Sequence, residues 1–99
     1  MKNKSLLQKD RSYCYLCDKE GIYNGYDLQK HHIFFGSNRN NSEREGLYCW
    51  LCVGHHEYGP HAVHTNREED LSLKQEAQAI YEAGHSHEEF MAIFGKNYL

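Results

Sequence analysis

The hydrophobic pattern of the last third of the chain repeats with the period of an α-helix and predicts two helices. Thr65 and Asn66 each precede a glutamate by three residues, the spacing of a capping box at a helix start. Gly84 is suited to end this first helix, and Ser86 begins a second helix that Gly95 ends. The residues expected to face the core are Leu73, Ala77, Ile80, Tyr81, Phe90, Ile93 and Phe94.

The first half of the chain has short runs rich in aromatic and β-branched residues, which favour strands. An Asn-Gly pair at 24–25 is a strong signal for a two-residue turn and predicts a hairpin with arms at 22–23 and 26–35. The polar stretch 36–46 predicts a loop, and the apolar stretch 47–52 predicts a buried strand. The chain is therefore expected to be α+β.

Composition indicates one small domain that needs a staple. The chain has 99 residues, of which 39% are hydrophobic, so its core is small. The N-terminal residues have no apolar run of signal-peptide length, and no stretch is apolar enough to span a membrane. We therefore expect a cytoplasmic protein with reduced thiols, in which close cysteine pairs are more often metal ligands than disulfides.

The formal net charge of −3 argues mildly against a nucleic-acid partner, but its distribution is uneven. Residues 1–67 carry nine lysines and arginines against seven aspartates and glutamates, whereas residues 68–99 carry two against seven. The acidity therefore belongs to the C-terminal helices, and the part rich in cysteine and histidine is slightly basic.

Paired cysteines indicate a zinc staple. Zinc favours four cysteine and histidine ligands from two knuckles, and Cys14 with Cys17 has the spacing of one knuckle. The second knuckle is either Cys49 with Cys52 or Cys52 with His55. We favour the latter pair, because Cys49 lies in the middle of the predicted strand, where it serves as a small apolar residue.

Histidines form a second candidate cluster. If His55 belongs to the staple, His56 points elsewhere, because adjacent residues do not easily bind one metal from a turn. His31, His32, His61 and His64 are the other candidates, and His85 and His87 are expected to be exposed turn residues.

This pattern resembles that of the HNH endonucleases, also called His-Me finger or ββα-metal nucleases. The matching residues are HHI at 31–33, LC at 51–52, HH at 55–56 and a downstream His64. Residues 14–99, with the ending FMAIFGKNYL, look like short HNH-like proteins of bacteriophage and prophage genomes. The resemblance implies a zinc-clamped, treble-clef-like ββα-metal finger with two C-terminal helices.

The resemblance also implies roles for the histidines. His32 would be the general base, while His31, His56 and His64 would hold a catalytic Mg²⁺, Mn²⁺, Ni²⁺ or Zn²⁺ beside the structural Zn²⁺. His61 is the alternative to His64 as the last ligand. The family's middle asparagine falls on Leu47, where the phage-type relatives also tend to be apolar. The group that orients the base is therefore left open among Asn38, Asn40 and Asn41.

We therefore expect one HNH-like domain, with an N-terminal arm at 1–12, a metal-binding core at 13–66 and a helical part at 67–99. The expected function is metal-dependent hydrolysis of DNA in the cytoplasm of a phage-infected or prophage-carrying bacterium, by a homodimer or with a phage protein partner. The alternatives are a non-catalytic zinc module that binds nucleic acid or protein, and a structural or regulatory phage protein. Candidate phosphate contacts are Lys30, Arg39, Arg44 and Arg67.

Overall fold

The computed structural model describes residues 4–99, so the first three residues of the expected arm lie outside the described part. Two strands, β1 (Gln29–His32) and β2 (Tyr48–Leu51), form an antiparallel sheet in which His32 lies opposite Tyr48. The helices are α1 (Tyr15–Lys19), α2 (Arg39–Arg44), α3 (Arg67–Gly84) and α4 (His87–Phe94). The predicted α+β class and the two C-terminal helices are confirmed. Among residues 4–99, no helix has the length and apolar character needed to cross a membrane.

Most of the residues predicted to cap the two C-terminal helices do so in the structure. The Asn66 side chain accepts from the backbone N–H groups of the first turn of α3, and Ser86 and Glu89 form a reciprocal capping box at the start of α4. Gly95 ends α4 in the left-handed conformation, with φ of 77°. The prediction for Gly84 is wrong, because Gly84 is the last residue of α3 and His85 is the C-cap.

The face predicted to pack is mostly buried. Leu73, Ala77 and Tyr81 of α3 and Phe90 and Phe94 of α4 belong to the hydrophobic core. Ile80 and Ile93, which we also expected in the core, are only partly buried. The two helices thus contribute to one core, in which Phe90 and Phe94 of α4 contact Phe34 from the segment that follows β1.

The predicted hairpin at Asn24 is wrong. Residues 22–28 form no strand, and β1 pairs with β2 rather than with a neighbouring arm. The backbone of this segment is already bonded to the first knuckle: Cys14 N–H donates to Asn24 O at 2.7 Å, and Ile22 N–H donates to Cys17 O at 2.9 Å. The Asn24 side chain accepts from Tyr26 N–H at 3.0 Å, so the Asn-Gly pair makes a local side-chain turn instead of a hairpin turn.

The segment predicted to be a loop, 36–46, contains a 3₁₀ turn, Gly36–Asn38, followed by α2. Asn38 is the N-cap residue of α2, but its side chain makes no capping bond there. The side chains of Asn38 and Asn41 bond instead to the end of α4. Asn38 Nδ2 donates to Phe94 O at 3.1 Å, and Asn41 Nδ2 donates to Ile93 O at 3.2 Å. Tertiary contacts therefore stabilise a helix that its polar composition did not indicate.

Part of the N-terminal arm lies along β2. Leu6 N–H donates to Gly46 O at 2.8 Å, and Trp50 N–H donates to the side-chain oxygen of Gln8 at 2.8 Å. These bonds satisfy backbone groups on the side of β2 that β1 does not cover. The arm therefore helps to hold the strand that leads into the candidate metal site.

Candidate metal centres

Four residues from two separate segments form the first cluster. Cys14 is the N-cap of α1 and Cys17 lies within it, so one turn of helix presents both thiols to the same side. Cys52 follows β2 directly, and His55 lies in the π-helical turn Gly54–Tyr58. The ligand atoms of these four residues all lie within 4.8 Å of one another and can hold a metal such as zinc.

The distances within this cluster match a tetrahedral zinc site. With Zn–S bonds of about 2.3 Å and a Zn–N bond of about 2.0 Å, a tetrahedron separates two sulfurs by about 3.8 Å and a sulfur from a nitrogen by about 3.5 Å. Cys17 Sγ lies 3.7 Å from Cys52 Sγ. His55 Nδ1 lies 3.6 Å from Cys14 Sγ and 3.3 Å from each of the other two sulfurs.

Groups around the cluster orient its ligands. His55 Nε2 lies 2.9 Å from a carboxylate oxygen of Glu20, the kind of partner that fixes the tautomer of a metal-binding histidine. Burial raises the pKa of the Cys52 thiol, but hydrogen bonds with His55, Cys14 and Cys17 together outweigh burial and lower that pKa to about 7. A thiol with this pKa is readily converted to the thiolate that zinc requires.

Cys49 lies outside the cluster. It is fully buried in β2, opposite His31, and burial raises the pKa of its thiol. A neutral, buried thiol behaves as a small apolar side chain. Of the two possible second knuckles, the structure brings Cys52 and His55 to the first knuckle, and the four-cysteine alternative is not the arrangement found.

Three histidines form the second cluster. Two backbone bonds, from Val63 N–H to His55 O at 2.8 Å and from His64 N–H to His56 O at 3.2 Å, place His64 beside His56. The Nε2 atoms of His56 and His64 lie 3.0 Å apart, and the His31 ring lies 5.1–5.2 Å from both rings. The ligand atoms of the three residues lie within 4.8 Å of one another, so this cluster too can hold a metal ion.

His31 is the buried member of this cluster. Its side chain is 1% exposed, and its Nε2 has no hydrogen-bond partner among the described residues. Burial, with the neighbouring His56 and His64, lowers the pKa of His31 to about 3. A neutral, buried imidazole with an unsatisfied nitrogen beside two other imidazoles fits a metal ligand, because neutral imidazole is the form that binds metal.

His32 lies on the opposite face of β1 from His31, as strand alternation requires. Its Nε2 lies 2.7 Å from Oε1 of Glu43 in α2. Both histidines nevertheless line one cavity of about 250 Å³ at the end of the sheet. The remaining lining residues are Lys30, Phe35, Arg39, His56 and His64. Sequence reasoning missed Glu43, because no local spacing links a glutamate in a polar loop to a histidine eleven residues earlier.

Leu47 occupies the position at which the resemblance predicts an asparagine that orients the base. In this protein the side chain of Ser42 makes hydrogen bonds to the backbone of that position and of the segment after His32. The Ser42 hydroxyl accepts from Phe34 N–H at 3.2 Å and donates to Leu47 O. Leu47 O also accepts from Ile33 N–H at 3.1 Å, so the segment after His32 is fixed to the start of β2. None of the three candidate asparagines does this: Asn38 and Asn41 bond to α4, and Asn40 is exposed.

The other predicted residues are scattered. His61 lies outside the three-histidine cluster, with its Nδ1 3.2 Å from Glu69. Lys30 and Arg39 line the cavity of the cluster, but Lys30 is bonded to Glu43. Arg44 pairs with Glu45, and Arg67 lines a different cavity, next to Lys74 and Lys96. His85 and His87 are exposed, as expected, but His87 is the first residue of α4 and not a turn residue.

No protein-family model matches the chain, and no curated protein or solved structure shows significant similarity to it.

Proposed function

We propose that the chain is a metal-dependent endonuclease of the HNH type that hydrolyses DNA phosphodiester bonds, built on a zinc-clamped, treble-clef-like ββα-metal finger. Structural Zn²⁺ would occupy the Cys14, Cys17, Cys52 and His55 cluster. A catalytic divalent cation, Mg²⁺, Mn²⁺, Ni²⁺ or Zn²⁺, would occupy the His31, His56 and His64 cluster. The observation that carries the proposal is the cavity of about 250 Å³ that these three histidines share with His32.

The three-histidine cluster has the dimensions of a metal site. Two imidazole nitrogens bound to one ion at about 2.0–2.1 Å lie about 2.9–3.4 Å apart, for octahedral to tetrahedral angles. The 3.0 Å between His56 Nε2 and His64 Nε2 falls in this range. Three protein ligands leave coordination positions for substrate and water, as catalytic sites require.

His32 supplies the base. Its imidazole takes a proton from a water molecule, the hydroxide oxygen bonds to phosphorus, and the bond from phosphorus to the 3′ oxygen breaks. The leaving oxygen takes a proton from solvent and protonated His32 releases its proton to solvent, which balances the hydrolysis and restores the base. A cation bound to His31, His56 and His64 would neutralise charge on the phosphate and on that oxygen. Arg39, exposed at the cavity, is placed to contact a phosphate.

The biological setting is proposed from the resemblance to short phage and prophage proteins. The enzyme would act in the bacterial cytoplasm on DNA. Few basic residues line the cavity, and one of them, Lys30, is paired with Glu43. DNA binding would therefore need more surface than this cavity provides, from a homodimer or from a phage protein partner.

One observation favours a second function, a non-catalytic zinc module that binds nucleic acid or protein. Leu47, at the position of the family's asparagine, is fully buried and presents only its backbone carbonyl to the segment after His32. In this alternative the first cluster binds zinc and the second has lost its catalytic use. Metal stoichiometry separates the two functions: the nuclease binds one tight zinc and one weaker, exchangeable cation.

The decisive experiment is a plasmid-nicking assay on zinc-loaded protein, freed of loosely bound metal and supplied with each candidate cation. His32→Ala is expected to retain cation binding and to lose cleavage by about 10²- to 10⁴-fold, the range for a general base. His31→Ala is expected to lose both cation binding and cleavage. His61→Ala is a matched control, because His61 is a histidine of the same loop that lies outside the cluster.

Wild-type protein that cuts no DNA with any cation would favour the binding module. Cleavage by His32→Ala at the wild-type rate would assign the base to another group.

A further inference from the structure

Glu43 makes an unusual contact for a residue in a polar, solvent-facing helix. Its Oε1 lies 2.7 Å from His32 Nε2, and its side chain is 24% exposed while that of His32 is 9% exposed. Contact between a carboxylate and a nearly buried imidazole fixes the imidazole more firmly than contact with solvent does. Glu43 can therefore determine which ring nitrogen of His32 carries the proton.

A lysine also contacts the Glu43 carboxylate and shares Oε1 with His32. Lys30 Nζ lies 2.7 Å from Oε1 and 3.0 Å from Oε2 of Glu43, and it also lies 4.1 Å from the centre of the Tyr48 ring. Burial raises the pKa of Glu43, but hydrogen bonds from Lys30 and His32 outweigh burial and lower the pKa below its ordinary value. The carboxylate is thus ionised and accepts hydrogen bonds only.

Since an ionised carboxylate cannot donate, the contact with His32 requires a proton on Nε2 of the imidazole. In neutral His32 the lone pair is then on Nδ1. We propose that Glu43 is a positioning residue for the general base: it holds His32 in the Nε2–H tautomer and directs Nδ1 to the cavity shared with His31. The inference rests on the proposed nuclease function and explains how the base is oriented where an asparagine is absent.

Glu43 also has a role once the proton has moved. When Nδ1 of His32 takes the proton of water, the ring becomes a cation with protons on both nitrogens. The carboxylate 2.7 Å from Nε2 stabilises that cation without taking its proton. Lys30, which we expected to contact phosphate, is instead assigned to the carboxylate that orients the base.

Glu43→Gln tests this assignment because an amide has only one acceptor oxygen. Lys30 Nζ and His32 Nε2 both lie 2.7 Å from Oε1, so in this variant they share the single amide oxygen. The uncharged amide holds His32 less firmly and does not balance the charge of its imidazolium. We expect kcat to fall by about 10²- to 10⁴-fold, the range for a general base that has lost its function, while KM and cation affinity stay unchanged. Glu43→Asp, which retains the charge, is expected to recover part of the loss.

The matched control is Glu45→Gln. It removes the same charge two residues away, where Glu45 pairs with Arg44 and Tyr81 instead of with His32. This variant is expected to keep the wild-type kcat. A loss caused only by a weakened α2 would affect both variants, and melting temperatures of the two report that directly.

Long-range ¹H–¹⁵N spectra of His32 in the zinc-loaded, cation-free protein give a second readout that needs no cleavage. We expect the Nε2–H tautomer in the wild type and an increased share of the Nδ1–H tautomer in Glu43→Leu, whose side chain has no acceptor for Nε2–H. An unchanged tautomer, or wild-type cleavage by Glu43→Gln, overturns this inference and leaves the nuclease proposal standing. A wild-type protein that cleaves nothing overturns both.

Discussion

His55 and His56 are adjacent in sequence, but their imidazoles lie in different clusters. His55 Nδ1 lies 3.3 Å from Cys52 Sγ, whereas His56 Nε2 lies 3.0 Å from His64 Nε2. Both residues belong to the π-helical turn that follows β2. Consecutive side chains of such a turn diverge, so a single turn supplies one ligand to each candidate metal centre.

This divergence predicts that the two centres can be removed separately. His55→Ala is expected to lose the tightly bound zinc and to lower the melting temperature. His56→Ala is expected to keep that zinc and its fold but to lose the second, exchangeable cation. Metal analysis by mass spectrometry and thermal melts measure both outcomes, and equal loss of tight zinc in the two variants would contradict the assignment.

The cysteines are not expected to be equivalent. Cys52→Ser is expected to release zinc and unfold the domain, because structural zinc contributes on the order of 10 kcal/mol of apparent binding energy in small zinc domains. Cys49→Val is the matched control: Cys49 is buried in β2 but lies outside the ligand cluster, so this variant is expected to keep its zinc. Zinc loss in Cys49→Val would favour the four-cysteine site instead.

Elements whose signals are local could be predicted from the sequence. The caps at Asn66 and at Ser86 with Glu89, and the left-handed Gly95, depend on residues within one turn of each other, so the spacing alone was sufficient. The first cluster was also predictable, because two ligand pairs with three-residue spacing restrict the choice to two second knuckles, and the buried strand position of Cys49 decides between them.

Features that depend on distant contacts could not be predicted. Asn24 has the sequence signal of a hairpin, yet its backbone carbonyl accepts from Cys14 N–H and its amide Nδ2 lies 3.9 Å from Cys17 Sγ. Glu43 lies in a stretch that is polar throughout, and only the fold of α2 against β1 brings it to His32. In both cases a tertiary partner, absent from the local pattern, determines the conformation.

The fully buried hydroxyl of Ser42 is expected to matter more than its small size indicates. Ser42→Ala leaves Phe34 N–H without its acceptor inside the core, a cost of about 1–3 kcal/mol in the free energy of unfolding. Ser37→Ala, at an exposed position of the same segment, is expected to stay within about 0.5 kcal/mol of the wild type. Urea denaturation measures both, and equal effects would show that the Ser42 bonds are unimportant.

Stability is also expected to depend on pH through His31. Its pKa is lowered to about 3 in the folded protein, while an unfolded histidine titrates near 6.5, so below that pH the unfolded chain binds a proton that folded His31 does not. The stabilisation is therefore complete above pH ~6.5 and is lost as the pH falls towards 3. Between pH ~7.5 and ~5.5, His31 alone accounts for a loss on the order of 1 kcal/mol.

His31→Phe isolates this contribution, because phenylalanine fills the buried position without a titratable group. Urea denaturation at both pH values, on protein stripped of the exchangeable cation but retaining its zinc, gives the free energy of unfolding. The variant is expected to lose on the order of 1 kcal/mol less than the wild type over this interval, since its other histidines are unchanged. Zinc analysis at each pH checks that the structural zinc stays bound. An equal decrease in the free energy of unfolding of both proteins would show that folded His31 takes up its proton near its ordinary pKa.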